Sequence, residues 1–365
     1  MKKNCIITVL ILILLVLTTY GCMEIFNSDS GSVIYEAHPT EVRYTISYGY
    51  FINCTGSGEY NIKYDCDMPE VLEGEIISTE IHDNEYKNKI LATFNTVKSW
   101  NITSDSSEAY DLGITASVRA EYFLVSDLNG KNALTIQEIQ NQYPDLIDQY
   151  CTAQSNGTIT FIDPDNTIIK STANNVLNEA GTDNAFLVAK ELFKWLKQQT
   201  TYGTNQGQSS VKPASETIKN KIGDCDDLSF LYISLCRSVC VPARFIRGIH
   251  VDFEKEQAIA HAWVEVFVGP NVGKEGWIPV ECAGTTKKIE TEIHQNFGIE
   301  GVGHLRLFKD DGSNESMNAS LTDIRYLVYG SDRKITPEAY LEIDSYSIIR
   351  SNELIIDEND NRSYE

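Results

Sequence analysis

The sequence predicts an α+β protein, in which an N-terminal β-sandwich precedes helices, one of which begins at a cysteine, and further strands. Segments between residues 39 and 125 are rich in β-branched and aromatic residues and are separated by turn residues, which is typical of sandwich strands. From about residue 166 the apolar residues recur at helical spacing instead. A chain of 365 residues is long enough for two domains with separate cores.

The first 22 residues read as an export signal. Two lysines precede the apolar run CIITVLILILLVLTTYGC, which is short for a membrane span, so a cleaved signal competes with an uncleaved anchor. Gly21-Cys22 is similar to a lipobox, although Thr19 stands where an aliphatic residue is usual, and this predicts lipidation of Cys22. We expect an exported, cell-surface protein, membrane-anchored or secreted, with a polar linker over residues 23–38.

Composition points to the same compartment. Six asparagines lie in glycosylation sequons, a set that suits an archaeal or eukaryotic outer surface: Asn53, Asn101, Asn156, Asn314, Asn318 and Asn361. The formal net charge of −22 argues against nucleic acid and against adhesion to anionic lipid. Membrane contact is therefore expected only through an N-terminal lipid or an uncleaved signal. No cofactor or metal is expected.

The predicted sandwich covers residues 39–125. Its strands are assigned to YTISYGYFINC, EYNIKYDCDM, KILATFNTV and ITASVRAEYFLV. Cys54 and Cys66 flank the turn-like TGSGEY and could staple neighbouring strands, which an exported chain permits. Cys236 and Cys240 have a spacing that is not typical of a zinc ribbon or thioredoxin motif.

Residues 126–185 are predicted to be a connector with helices. The segment DLNGKNALTIQE has some ligand positions of a calcium-binding EF-hand loop, but Lys131 and Asn132 occupy positions that disfavour calcium. We predict an acidic loop followed by one helix over TIQEIQNQYPDLIDQY. Helical periodicity then continues through NTIIKSTANNVL and DNAFLVAKELFKWLKQQT.

The motif GDCDDLSF at residues 223–230 opens the next predicted helix. Asp224 is a plausible N-cap, two further aspartates suit the positive end of the helix dipole, and Pro242 limits the helix at its far end. A helix N-terminus favours a thiolate at Cys225, whereas the neighbouring carboxylates oppose it. A nucleophilic Cys225 therefore needs a nearby imidazole. The alternatives are a metal ligand, a disulfide or a buried small side chain.

Three predicted strands follow, ARFIRGIHV, AIAHAWVEVFV and GWIPVECAG. Side chains alternate along a strand, so His261 shares a face with Trp263 and Glu265. If the second and third strands pair with His261 opposite Glu281, the turn centres on Asn271. This register would place a carboxylate beside the imidazole.

Cys225, His261 and Glu281 follow one another at intervals of 36 and 20 residues. Together with GDCDDLSFLYISLCRSVCVPARFIRG, AHAWVEVF and WIPVECAG, this order resembles the transglutaminase-like superfamily of papain-like enzymes. The upstream strands and FGIEGVGHLRLF are similar to extracytoplasmic members with an N-terminal β-domain. The resemblance implies a core over residues 186–308. It also implies a catalytic triad with Cys225 as nucleophile, His261 as base and Glu281 as the acid that orients it, where the family usually has aspartate.

The resemblance implies acyl transfer at an amide bond through a thioacyl intermediate on cysteine. We expect hydrolysis of a surface protein or wall peptide, with protein crosslinking as an alternative. The alternative from another class is a non-catalytic surface-binding protein with a degenerate papain-like scaffold, which the glutamate at position 281 favours.

The remaining polar candidates have weaker settings. Tyr202 and Gln206 lie in a loop before the motif and could assist an oxyanion, although loop polarity explains them equally well. The other histidines are predicted to be surface or structural residues: His38, His82, His250, His294 and His304. Residues 309–365 are predicted to be an acidic extension whose strands finish or cover the core.

Overall fold

A computed structural model describes residues 24–26, 31–83, 85–203, 211–284, 288–321 and 324–365. The predicted signal, Cys22 and Gln206 lie outside these residues. Within them, no helix combines the length and apolar character needed to cross a membrane.

The N-terminal region is built from strands. They are β1 (Glu24–Phe26), β2 (Val33–Thr55), β3 (Glu59–Asp67), β4 (Gly74–Ile81), β5 (Lys87–Leu91), β6 (Asn95–Ser104), β7 (Ala109–Glu121) and β8 (Phe123–Leu124).

Helices dominate the middle of the chain. The elements here are α1 (Ile136–Gln142), α2 (Pro144–Tyr150), β9 (Gln154–Ser155), β10 (Thr160–Ile162), α3 (Thr167–Ala180), α4 (Ala185–Gln199), β11 (Thr201–Tyr202), α5 (Ala214–Asn220), β12 (Ile222–Gly223) and α6 (Cys225–Ser238).

Strands return after α6. The elements are β13 (Ala243–Asp252), β14 (Gln257–Phe267), β15 (Trp277–Val280), α7 (Ile289–Asn296), β16 (Ile299–Glu300), β17 (His304–Lys309), α8 (Asn314–Ser320), β18 (Arg325–Tyr329), β19 (Lys334–Ile356) and β20 (Arg362–Tyr364).

The predicted α+β class is confirmed. One sheet has the strand order β20-β19-β2-β7-β4, with β1 added to β2, and a second sheet has the order β18-β3-β6-β5. The two sheets share an apolar core that includes Ile46, Ile62 and Trp100. All six sequon asparagines are exposed.

Both ends of the predicted sandwich need correction. The expected linker over residues 23–38 already contains the start of β2, because Val33, Ile34 and Tyr35 have strand-forming side chains and Tyr35 is fully buried. The predicted C-terminal extension also contributes a strand to the sandwich. Its strand β19 pairs antiparallel with β2 from Lys334–Thr55 to Ile356–Val33, so the sandwich is completed by the end of the chain.

The proposed staple between Cys54 and Cys66 is absent, and both are free, buried thiols. Cys54 lies at the end of β2, whereas Cys66 lies near the far end of β3. A strand advances about 3.3 Å per residue, which places the two Cα atoms well beyond the reach of a disulfide. All seven cysteines among the described residues are free.

The helix predicted over residues 135–150 is two helices. It breaks at Tyr143, because the ring of Pro144 disfavours helical geometry in the preceding residue, and Pro144 starts α2 instead. At the start of α1, the Glu138 carboxylate accepts the backbone N–H of Thr135 at 2.8 Å in a capping box. This carboxylate therefore serves the start of α1.

The core packs α6 against a four-stranded antiparallel sheet of order β15-β14-β13-β17. The register that would place His261 directly opposite Glu281, one that the sequence allows, is shifted by two residues in the structure. The observed register pairs Val264 with Val280, so Glu281 lies just beyond the end of β15. Since side chains alternate with a period of two, a shift of two residues keeps Glu281 on the predicted face.

Candidate active site

Cys225 is the first residue of α6. The Asp224 side chain accepts from the backbone N–H of Asp227 at 3.4 Å, and Asp227 reaches back to the N–H of Asp224, which completes a capping box. The predicted N-cap is therefore present. The half-buried thiol consequently lies where the free N–H groups and the dipole of a 14-residue helix favour negative charge.

The surroundings of the thiol oppose its ionisation. Burial raises the pKa of Cys225 well above its usual value, and the negative charges of Asp226, Asp224 and Glu281 raise it further, while a backbone hydrogen bond from Ala262 acts in the opposite direction. The Sγ atom lies 3.9 Å from Oδ1 of Asp226. Without a nearby proton acceptor, Cys225 is a neutral thiol at neutral pH.

His261 lies on β14 and is 8% exposed. Its Nε2 is 2.7 Å from Oε2 of Glu281, and its ring stacks on Trp263 with centroids 5.9 Å apart and an interplanar angle of 24°. Burial alone would raise the pKa of Glu281, but the charge and hydrogen bond of His261 hold it well below its usual range. Glu281 is therefore an ionised acceptor, and His261 donates from Nε2.

This tautomer leaves Nδ1 of His261 as the nitrogen that can take a proton from a thiol. No hydrogen bond joins the Cys225 thiol to the His261 ring in the described part of the chain. The helix that begins with Cys225 nevertheless packs against β14, and the backbone of Ala262, the residue after His261, lowers the pKa of the thiol while Glu281 raises it, so the two side chains belong to one site. The structure thus brings together the three predicted residues, with the His261–Glu281 contact already formed.

His304 also reaches Glu281, although the sequence predicts a surface or structural residue. Its Nε2 lies 3.1 Å from the same Oε2 atom that contacts His261, and its Nδ1 lies 3.3 Å from the carbonyl oxygen of Gly301. Burial would lower the pKa of His304, but the hydrogen bond and charge of Glu281 raise it. No local sequence signal predicts this contact, because β17 joins the sheet beside β13 and not beside its neighbour in the chain.

His250 lies behind this pair. It is opposite His304 in the register of β13 and β17, and its ring centroid is 5.1 Å from that of His304 and 5.6 Å from that of His261. Burial and the two neighbouring histidines lower its pKa to about 3, so it is a neutral ring. His294, in contrast, hydrogen bonds to Tyr35 on β2 at 2.8 Å.

A buried network of ion pairs, here called the charge ladder, holds the indole of Trp263 against the His261 ring; it consists of Glu300, Arg306, Glu265 and Arg244. Trp263 Nε1 donates to Glu300 at 2.9 Å, and Arg306 bridges Glu300 and Glu265 at 2.8 and 2.7 Å. Arg244 then donates to the second oxygen of Glu265 at 2.8 Å. The ladder fixes the indole against which His261 stacks. Sequence reasoning places only Trp263 and Glu265 on the face of His261, and Arg306 and Glu300 come from later elements.

Lys197 on α4 fixes the segment that follows Glu281. Its Nζ donates to the carbonyl oxygens of residues 282, 283 and 284 at 3.0, 2.7 and 3.0 Å, and it pairs with Glu292 at 3.0 Å. The other Glu281 oxygen accepts from the backbone N–H of Ala283 at 2.7 Å. The carboxylate is therefore held at both oxygens, and its main chain is anchored by a buried cation.

The rim of the site has two further polar groups. Burial, followed by the charges of Asp224 and Asp227, raises the pKa of Asp226 to about 6. Tyr202 lies on β11, which pairs with β12 immediately before Asp224, and burial together with Cys225 raises its pKa to about 12. Tyr202 is thus near the thiol.

The sandwich contacts the core beside this site. Arg247 on β13 donates to Asp67 on β3 at 2.6 Å, and Glu70 forms a backbone bridge with Arg306. Arg247 is also one of the cations that lower the pKa of Asp226. The β-domain therefore lies next to the strand that carries His250.

A family model described as the transglutaminase-like superfamily matches residues 170–282. The match begins within α3, upstream of the core boundary predicted at residue 186, and it includes Cys225, His261 and Glu281. A search of curated proteins finds no match to this chain.

Solved structures with related folds include a candidate cysteine protease from Cytophaga hutchinsonii. It is 13% identical, with a TM-score of 0.55, and the alignment covers 92% of this chain and 100% of that chain. This likeness shows the fold along nearly the whole chain.

Two further matches are more distant. LapG of Legionella pneumophila is 14% identical with a TM-score of 0.29, covering 48% of this chain and 84% of that chain. The periplasmic domain of TgpA from Pseudomonas aeruginosa is 10% identical with a TM-score of 0.32, and the alignment covers 67% of this chain and 88% of that chain. Scores this low carry no structural argument.

Proposed function

We propose that this protein is a cysteine-dependent enzyme that cleaves an amide bond in a protein or peptide substrate, and the match of residues 170–282 to the transglutaminase-like family model supports this. The observation that carries the proposal is the 2.7 Å contact between His261 Nε2 and Glu281 Oε2, next to a cysteine that opens a helix. An imidazole oriented by a carboxylate, beside a thiol at a helix N-terminus, is the arrangement that activates a cysteine nucleophile.

The reaction begins when Nδ1 of His261 takes the proton of the Cys225 thiol. The thiolate attacks the carbonyl carbon of the substrate, and the backbone N–H groups at the start of α6 stabilise the oxyanion. We propose the Tyr202 hydroxyl as a further donor, because Tyr202 pairs with Gly223, two residues before Cys225. The imidazolium then gives its proton to the leaving amine, which leaves an acyl group on the sulfur.

Glu281 has two functions in this cycle. It fixes the tautomer of His261 by accepting from Nε2, and it stabilises the imidazolium that forms when the thiol ionises. The positive charge of the imidazolium also offsets the negative charges of the carboxylates that raise the pKa of Cys225. Glutamate therefore serves where the family usually has aspartate.

We propose hydrolysis as the second half of the reaction, with water accepting the acyl group. A cysteine-protease description of the Cytophaga hutchinsonii protein supports hydrolysis over crosslinking by an amine. Substrates of this class include surface proteins and wall peptides. The same proposal includes an export signal over residues 1–22, lipidation of Cys22 and modification of the exposed sequon asparagines.

Labelling of Cys225 by a peptide amide or vinyl-sulfone probe tests the proposal, with peptide mass spectrometry to locate the adduct. The wild-type chain should be labelled at Cys225, and His261→Ala should reduce the rate by at least about 100-fold, the lower range for loss of a general base. His82→Gln is the matched control, because His82 lies in the sandwich. Equal labelling of wild type and His261→Ala would overturn the assignment.

A second candidate function is a surface-binding protein with an inactive core. The observation in its favour is the Cys225 thiol itself, which contacts Asp226 at 3.9 Å and has its pKa raised by burial and three carboxylates. In that case the probe labels neither wild type nor His261→Ala.

A further inference from the structure

Three side chains around Glu281 present metal-binding atoms to one point. Nε2 of His261, a carboxylate oxygen of Glu281 and Nε2 of His304 all lie within 4.8 Å of one another. Two imidazole nitrogens and one carboxylate oxygen are a donor set that binds Zn²⁺ or Co²⁺ and leaves a fourth position open.

The outer contacts of these residues suit a metal site. Nδ1 of His304 faces the Gly301 carbonyl at 3.3 Å, which fixes a proton on Nδ1 and leaves Nε2 as the ligand. The second oxygen of Glu281 is held by the N–H of Ala283 at 2.7 Å, so the carboxylate cannot rotate freely. Metal-binding histidines and carboxylates are typically held by partners of this kind.

The cluster is open enough for an ion to enter. The side chains of Glu281 and His304 are 16% and 12% exposed, whereas that of His261 is 7% exposed. The positive charge of the ion would meet an ionised Glu281 and the net acidic surroundings of Asp224 and Asp226. The negative charge of Glu281 and that of the two aspartates both favour the binding of a divalent cation at this cluster.

We propose that His261, Glu281 and His304 form a reversible binding site for a divalent transition-metal ion, and that an ion bound there holds Cys225 inactive. The binding part stands independently, and the inhibitory part rests on the proposed function.

The inhibition follows from the protons of His261. Without an ion, Nε2 carries the ring proton and Nδ1 has a lone pair that can accept the thiol proton. An ion at Nε2 of His261 replaces the hydrogen bond between that atom and Glu281, so the ring proton must move to Nδ1 by exchange with solvent. His261 then has no free lone pair, and the thiol keeps its proton.

Direct titration of the full chain with Zn²⁺ tests the binding, with calorimetry for the affinity and Co²⁺ absorption for tetrahedral coordination. One ion per chain should bind, and Ca²⁺, which prefers oxygen ligands, should not compete. His304→Gln should weaken Zn²⁺ binding by more than about 10-fold, since even the loss of an outer partner costs about 10- to 100-fold. His82→Gln should leave the affinity unchanged.

Cys225→Ser separates this site from a simple thiol–histidine site. The Cys225 sulfur is not one of the three proposed metal ligands. The Zn²⁺ affinity of the variant should therefore lie within about threefold of the wild-type affinity, a difference of less than 1 kcal/mol. A large loss in Cys225→Ser, unchanged binding in His304→Gln, or no stoichiometric Zn²⁺ in wild type would each overturn the site.

Alkylation of Cys225 by iodoacetamide, followed by peptide mass spectrometry, tests the inhibition. Zn²⁺ should slow alkylation in wild type, and the slowing should need a higher Zn²⁺ concentration in His304→Gln. Unchanged alkylation at saturating Zn²⁺ would overturn the inhibitory part. A chain that binds Zn²⁺ but never cleaves or labels with substrate probes would retain the metal site and refute the proposed function, so the two failures are distinguishable.

Discussion

The Oε2 atom of Glu281 lies 2.7 Å from Nε2 of His261, although the two residues are not partners in the strand ladder. Glu281 lies one residue beyond the end of β15, and its side chain reaches His261 diagonally on the adjacent strand β14. A glutamate can therefore form the contact from a main-chain position beyond the end of a strand.

Replacing Glu281 by glutamine should lower kcat by roughly 10³- to 10⁴-fold, as in other triads whose carboxylate becomes an amide. The amide oxygen still accepts from Nε2, but it cannot stabilise the imidazolium. Glu281→Asp keeps the charge and should retain more activity than Glu281→Gln, although the shorter side chain weakens the contact. Steady-state hydrolysis of a peptide substrate measures both, and equal activity of Glu281→Gln and wild type would contradict the role.

Replacing Asp226 by asparagine should make Cys225 ionise at lower pH. The Asp226 charge is one of the causes that raise the pKa of the thiol, and Asp226 itself has its pKa raised to about 6 by burial and two aspartates. Above pH ~6 the wild-type carboxylate is charged and opposes the thiolate, so the difference between the proteins should appear there.

The rate of Cys225 alkylation as a function of pH measures this change. The profile of Asp226→Asn should shift towards acid relative to wild type, and Asp148→Asn, on the exposed side of α2, should not shift it. A profile that moves towards alkaline pH would refute the electrostatic argument.

Replacing Lys197 by methionine should lower the free energy of unfolding by about 3–5 kcal/mol, the range for removing one partner of a buried ion pair. The change removes the ammonium group that contacts Glu292 and three carbonyl oxygens. Guanidinium unfolding followed by tryptophan fluorescence measures the loss. Lys194→Met on the same helix is the control, since Lys194 pairs with Glu191 at a solvent-exposed site, and a comparable loss there would show that the carbonyl cradle is not responsible.

The charge ladder predicts that the protein loses stability in acid. Burial would raise the pKa of Glu265, but Arg306 and Arg244 lower it to about 2, below the usual value of 4.5. A group with a lowered pKa stabilises the folded state above its unfolded pKa. This stabilisation, on the order of 3 kcal/mol for Glu265, should therefore be present above pH ~4.5 and decline as pH falls towards ~2.

Urea unfolding at several pH values between 5 and 2.5 tests this expectation. Glu265→Gln should be less stable than wild type at pH 5 and should show a smaller decline in acid. If the free energy of unfolding of Glu265→Gln fell with pH as steeply as that of wild type, the acid sensitivity would come from other carboxylates.

Local sequence signals predicted the parts of the site that depend on one element. Asp224 caps α6 because a short polar side chain precedes an apolar helical stripe, and His261 lies on a strand because its neighbours alternate. The fold class was predicted from the change between strand-like segments at residues 39–125 and helical spacing of apolar residues from about residue 166.

Residues that meet through pairing between distant strands could not be found in this way. His304 reaches Glu281 because β17 adds to β13, and Arg306 enters the charge ladder for the same reason. Lys197 looks like an ordinary helix-surface lysine in the sequence, and only the fold of the segment after Glu281 buries it. The register of β14 and β15 depends on a loop whose length the sequence does not reveal.

The pairing of β19 with β2 has a consequence for the order in which the protein can assemble. Thr55 meets Lys334, so the core region with Cys225 and His261 is translated between the two halves of one sheet. Until residues 334–356 leave the ribosome, one long edge of β2 has no partner, and exposed edges of this kind invite pairing with other chains. The region with Cys225 and His261 is therefore synthesised before the β-sandwich can be completed by β19. Premature termination after residue 333 would leave the edge of β2 without a partner permanently.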